Sequence, residues 1–113
     1  MNKIAAISDL KKNFIDQVFE LTNEIRANWP KIEKVGNGKT ICFLFWEPST
    51  RTKLSFEHAA KMLGFNVLDF SPEHSSLKKG ESFEDTIKTL LAMKVDGFVI
   101  RHPEDKISTI IKE

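Results

Sequence analysis

Four consecutive residues, Ser49, Thr50, Arg51 and Thr52, place three hydroxyls and a guanidinium directly after the apolar run TICFLFW. Such a cluster is costly to bury and serves no purpose on a plain surface. Its chemistry is that of an oxyanion receptor, because hydroxyls and a guanidinium together satisfy several oxygens of a tetrahedral anion. If a helix begins here, its first turn adds unpaired N–H groups and the positive end of the helix dipole. Phosphate is the simplest ligand for that combination. Taken one at a time, Ser49 or Thr50 is an ordinary N-cap. Taken together, the four exceed what a cap requires, and the expectation is anion binding.

Two further clusters bear on the same chemistry. The stretch RHP puts Arg101 directly after another apolar segment, DGFVI. In open parallel sheets ligands bind beyond the carboxyl ends of the strands, so Arg101 is expected to face the same crevice as Ser49–Thr52. The stretch SSLKKGES carries Ser75, Ser76, Lys78 and Lys79. On local grounds it reads equally as a solvated basic loop or as a contributor to the site. The segment GNGKT (36–40) mimics the end of a phosphate-binding P-loop, but the motif requires glycine at position 33, which is Glu33. That motif also follows a strand, whereas this segment leads into one, and the P-loop reading is rejected.

The elements that must position these residues are legible from periodicity. Ser8 is a plausible N-cap for a helix carrying Leu10, Phe14, Val18, Leu21 and Ile25, which should stop near NWPK because Pro30 disfavours helix at Trp29. The continuous apolar run Thr40–Trp46 suits a strand covered on both faces. A second helix follows EPST, with Phe56, Ala59, Ala60 and Leu63 on one side and Lys53, Glu57 and Lys61 as a separate charged stripe. Gly64 is its natural C′ residue. A short strand, Asn66–Phe70, and a polar loop come next. A third helix has Ser82 as N-cap, Asp85 completing a capping-box pattern, and a buried face of Phe83, Ile87, Leu90 and Leu91. Asp96–Ile100 is a third strand, and a last helix starts at Glu104 or Asp105. The fold class is α/β, a three-layer arrangement with a parallel sheet and helices on both faces. That last helix breaks off at Glu113 and three strands make a thin sheet, so the sequence reads as truncated.

Composition narrows the function classes. The 113 residues give room for one domain, 1–113. A formal net charge of +1 provides no global field for nucleic acid or a membrane surface, so any anion site must be local. The single cysteine, Cys42, lies in the apolar run and reads as a core residue of a reducing compartment. No run approaches the ~18 apolar residues of a membrane span, and the N-terminus is not a signal peptide. The expected location is the cytoplasm. His58 has no metal-ligand partner at i+4 (Met62), His74 is a loop residue, and His102 reads as structural. No metal or cofactor is expected.

With these residues in place, FWEPSTRTKLSFEHAAKMLG, KKGESFEDT and VIRHPE resemble, in order and spacing, the carbamoyl-phosphate domain of the aspartate carbamoyltransferases. The resemblance runs over nearly the whole chain. The S-T-R-T element is shared with the ornithine enzymes, whose neighbouring motifs differ, and ornithine is the alternative acceptor. The resemblance implies that Ser49, Thr50, Arg51 and Thr52 hold the phosphate of carbamoyl phosphate, and that Thr52 and Arg101 reach its carbonyl oxygen. It implies that Lys79 and one serine, Ser75 or Ser76, act in trans from a neighbouring subunit of a homotrimer, and that Glu47 ties two domains together on closure. The implied activity is transfer of the carbamoyl group to the L-aspartate amine in pyrimidine biosynthesis, with Thr52, Arg101, Arg51 and Lys79 as the catalytic groups. The aspartate-binding domain of the family is not matched, so the chain alone is expected to lack aspartate affinity and turnover. Two other readings stay open: a free-standing module that binds carbamoyl phosphate or another phosphorylated ligand without turnover, and an inert truncation product.

Overall fold

The structure is a computed structural model and describes residues 3–46, 49–70 and 83–102. Glu47, Ser75, Ser76, Lys79, Ser82 and the expected last helix lie outside the described residues. The chain divides into two units, Met1–Glu33 with Glu104–Glu113, and Lys34–Pro103.

In the first unit a 3-10 turn, Ile7–Asp9, precedes helix α1, Lys12–Asn28. Ser8 is not the N-cap of α1. The Asp9 carboxylate accepts the N–H groups of Ala5 and Ala6 at 2.9 Å each, which closes a separate short turn around Ser8. Leu10 is then extended, and the long helix begins at Lys12 with Lys11 in the N-cap position. At the other end Trp29 has ψ 135°, as steric clash with Pro30 requires, and the helix stops at Asn28.

The second unit holds a parallel sheet in the order β2-β1-β3, with β1 Thr40–Phe45, β2 Asn66–Phe70 and β3 Gly97–Arg101. The central strand is the continuous apolar run, and Cys42, Phe43 and Leu44 are fully buried. Its register sets Leu44 against Phe70 and Ile100, and Phe45 against Arg101. Side chains alternate along each strand, so Cys42, Leu44, Phe98, Ile100 and Phe70 share one face. Phe43, Asp69 and Arg101 share the other. The third strand starts one residue later than its apolar run suggested. Asp96 is spent on pinning the sheet's entry edge: its carboxylate accepts the Thr40 N–H at 2.8 Å and its own N–H donates to the Thr40 carbonyl at 2.9 Å.

Helix α2, Thr50–Met62, and helix α3, Phe83–Ala92, lie on opposite faces of this sheet. On one side Leu90 and Ile87 of α3 pack with Cys42, Leu44, Val95, Phe98 and Ile100. On the other, α2 meets Asp69 and Arg101 through polar side chains. The buried faces differ from the periodic reading in two places. Phe56 and Ala59 of α2 are exposed, while Lys53 and Glu57, read as a solvated stripe, are partly covered and Ala60 is buried. In α3, Leu91 is exposed and Thr86 takes the buried position, giving a face of Phe83, Thr86, Ile87 and Leu90. Periodicity gave the pitch of each stripe, and packing against the sheet fixed its rotation about the helix axis.

Both helices end in the same motif. After α2, the Phe65 N–H donates to Ala60 and the Gly64 N–H to Lys61, each at 3.0 Å, with Gly64 at φ +88°. After α3, Val95 donates to Leu90 at 3.2 Å and Lys94 to Leu91 at 3.0 Å. These are paired 6→1 and 5→2 bonds of a Schellman ending. At α3 the left-handed C′ position is occupied by Lys94, at φ +68°. The GNG loop docks on the α2 ending, where the buried Gly36 donates its N–H to the Leu63 carbonyl at 2.8 Å. A Cβ at Gly36 would run into the Phe65 ring. This glycine loop is a helix-end support some 20 Å of helix away from Ser49.

Candidate functional site

The site starts from one backbone fact: α2 begins where β1 has just ended. Ser49 is its N-cap residue, and the first intrahelical bond runs from the Lys53 N–H to the Ser49 carbonyl at 2.9 Å. The N–H groups of Thr50, Arg51 and Thr52 precede it and have no partner within the helix. The Ser49 hydroxyl does not turn back to cap them. It accepts a hydrogen bond from Arg101 Nη1 at 2.8 Å instead, and the same nitrogen lies 3.5 Å from Thr52 Oγ1. A residue at the end of β3 thus reaches over the central strand to the first turn of α2. Ser49 and Arg101 are 52 positions apart in sequence and meet because both sit at carboxyl ends of parallel strands.

The remaining predicted residues fall around this contact. Arg51 and Thr50 are exposed at the helix start, and the Arg51 side chain has no hydrogen-bond or ion-pair partner among the described residues. Thr52 is half-buried. Four of the groups singled out by sequence, Ser49, Thr50, Arg51 and Thr52, are therefore on one helical turn, and Arg101 joins them from β3. Lys79, Ser75, Ser76 and Glu47 lie outside the described residues.

Two features beside the site were not anticipated. Lys53, next to Thr52, forms an ion pair with Asp69 of β2. No acidic residue occupies the first turn of α2, and Arg51 and Lys53 put cations where the helix dipole disfavours them. That misplaced charge was the sequence signal for a partner, although its identity required the fold. On the opposite face, Trp46 packs with Phe83 and His102, both at ring-centroid distances of 5.2 Å, and with Phe70 at 6.2 Å. His102 is thus a member of an aromatic cluster beneath the strand ends. The Trp46 N–H donates to the Arg101 carbonyl at 2.8 Å, which holds β3's last residue level with the end of β1.

A displaced ionisation lies in the core. Burial pushes the Cys42 thiol from 9.0 up to about 11, with the Asp69 charge adding to the effect, so a nucleophilic role is disfavoured. Among the described residues no group of three or more His, Cys, Asp or Glu side chains could hold a metal ion. None of the described helices is long and apolar enough to cross a membrane.

A parallel α/β domain with a donor-rich helix start at the strand carboxyl ends belongs to the class that binds anionic ligands at that edge. Comparison with known proteins places it more closely: residues 2–113 match the family described as aspartate/ornithine carbamoyltransferase, carbamoyl-P binding domain, and the chain belongs to this family. It is 46% identical over 97 residues to the aspartate carbamoyltransferase catalytic subunit of Clostridium perfringens, covering 85% of this chain and 31% of that one. Among solved structures it resembles aspartate transcarbamoylase from Trypanosoma cruzi in complex with aspartate and phosphate, with a TM-score of 0.87, 31% identity, and coverage of 98% of this chain and 37% of that one. The anabolic ornithine carbamoyltransferase of Campylobacter jejuni matches with a TM-score of 0.81 at 28% identity, over 97% of this chain and 35% of that one. The chain spans about a third of the length of these relatives.

Proposed function

We propose that this chain supplies the carbamoyl phosphate site of an aspartate carbamoyltransferase. The observation that carries the reading is the meeting of Arg101 with Ser49 and Thr52 at the start of α2, beside an exposed Arg51 and helix N–H groups that have no intrahelical partner. In this reading the phosphate sits over the first turn of α2, held by the helix amides, Ser49, Thr50 and Arg51. Thr52 and Arg101 lie at the boundary between phosphate and carbamoyl group and donate to the carbonyl oxygen. The L-aspartate amine attacks the carbamoyl carbon, forming the C–N bond and moving an electron pair onto that oxygen. Collapse of the tetrahedral intermediate breaks the C–O bond to phosphate, and the amine proton leaves with the departing phosphate or to water. Donors fixed before reaction stabilise the oxyanion and the leaving group at no reorganisation cost at that moment.

Turnover is proposed for the chain in the company of an aspartate-binding domain, within a homotrimer. There Lys79 and either Ser75 or Ser76 complete a neighbour's site, and Glu47 links the two domains on closure. L-aspartate is the proposed acceptor, because EPSTRT, KKGES and RHP are the motifs of the aspartate enzymes; ornithine is the second reading.

The test is calorimetric titration of the chain with carbamoyl phosphate, with orthophosphate alongside and Arg51→Ala as the variant. Saturable binding lost in Arg51→Ala, with an unchanged circular dichroism spectrum, is the expected result. Equal affinity in the variant overturns the assignment.

A further inference from the structure

Helix α2 meets the sheet through two polar pins on either side of the central strand. On the β3 side Arg101 holds Ser49 and Thr52. On the β2 side Asp69 holds Lys53. Thr52 and Lys53 are consecutive residues, so their side chains leave the helix about 100° apart and straddle β1. The register puts Asp69 opposite Phe43 and Arg101 opposite Phe45, on the same face and two residues apart along the strands, roughly 6.6 Å. Two contacts offset in this way fix both the rotation of α2 about its own axis and the tilt of its first turn.

A cation in the first turn opposes the helix dipole, and the side chain of Lys53 is turned to Asp69 of β2. We infer that Lys53 and Asp69 are positioning residues: their ion pair sets the orientation in which the first turn of α2 presents Ser49, Thr52 and the helix N–H groups to phosphate. The inference rests on the phosphate-site reading given above. Lys53 and Asp69 are 29% and 42% exposed at their side chains, so the pair adds little to overall stability, and its effect is read in the geometry of the site.

Asp69→Asn gives a test of sign. If Asp69 acts only through its charge, removing a negative group beside an anion site tightens phosphate binding. If it positions α2, removal weakens binding, by about two- to five-fold for a partly exposed pair. The experiment is titration of the chain with inorganic phosphate in four forms: wild type, Asp69→Asn, Lys53→Met and Lys53→Arg. Thermal unfolding and amide exchange of Lys53, which makes the first helical bond, are followed in parallel. The expected result is weaker phosphate binding and faster Lys53 exchange in both Asp69→Asn and Lys53→Met, near-normal values in Lys53→Arg, and an unfolding midpoint changed by no more than ~2 °C throughout. Tighter or unchanged binding in Asp69→Asn, with wild type binding phosphate, overturns the positioning role alone. Absence of binding by the wild type overturns the phosphate-site reading beneath it.

Discussion

Replacing Ser49 with alanine separates two roles that local sequence left undecided. A serine that caps a helix contributes about 1 kcal/mol, which alanine removes. For a chain of 113 residues, unfolding entropy of roughly 2.1 cal/mol/K per residue converts 1 kcal/mol into about 4 °C of unfolding midpoint. The Ser49 hydroxyl makes no cap bond; it accepts from Arg101 at 2.8 Å in a solvent-accessible setting. Its loss should cost about 0.5 kcal/mol, the low end of a hydrogen bond's net worth, and shift the midpoint by ~2 °C or less. Ligand affinity should respond far more. A hydrogen bond to a charged group is worth about 1.5–3 kcal/mol, so Ser49→Ala should weaken carbamoyl phosphate binding by roughly 10- to 150-fold. Differential scanning calorimetry and isothermal titration on the same preparation give both numbers. A fall of ~4 °C or more with unchanged affinity would refute the reasoning and return Ser49 to the role of a cap.

Other expectations follow from the helix ends and the core. Lys94 holds a left-handed conformation that costs a non-glycine residue about 1 kcal/mol, so Lys94→Gly should raise the midpoint by ~1–3 °C after the extra unfolded-state entropy of glycine is subtracted. Gly64→Ala at the equivalent position of α2 should lower it by ~4 °C or more, since its Cβ meets the Asn37 side chain as well as the unfavourable φ of +88°. The Cys42 thiol, raised to about 11, retains its proton in the folded state while the unfolded thiol loses its own near 9.0. The folded state then binds more protons than the unfolded one, and stability falls as pH rises from about 9 to about 11. Denaturant midpoints should decline in that window and decline less in Cys42→Ala. An identical slope in the variant would show that other groups carry the dependence.

The three strands, the three helices among the described residues, and the clustering of Ser49, Thr52 and Arg101 at one sheet edge were legible because each rests on a local pattern or a topological rule. The continuous apolar run of β1 suits a doubly covered strand, and the strand-end rule for parallel sheets puts RHP after DGFVI at the same edge as EPST. What escaped was set by contacts distant in sequence. Asp69 reads as one acidic residue in a short strand, and nothing nearby shows that it meets Lys53. Lys94 gives no sign of a left-handed helix end, because the residue that advertises one is glycine. The shifts at Phe56 and Leu91 have the same origin: spacing gives the width of an apolar stripe, while rotation of the helix depends on what it packs against. At Ser8, the competing carboxylate of Asp9 closed a turn of its own and displaced the helix start to Lys12.

The aromatic cluster under the strand ends also has an optical consequence. Of the two tryptophans, Trp29 is largely open to water, whereas Trp46 is half-covered by Phe70, Phe83 and His102. Their emission should separate, with Trp29 to the red and Trp46 to the blue. Trp46 is also bonded through its backbone to Arg101, so any ligand that draws the Arg101 end of β3 outward moves the indole against its aromatic neighbours. A Trp29→Phe variant would leave a single unlabelled fluorophore tied to the backbone of one of the site's own arginines, from which binding and its rate could be read directly.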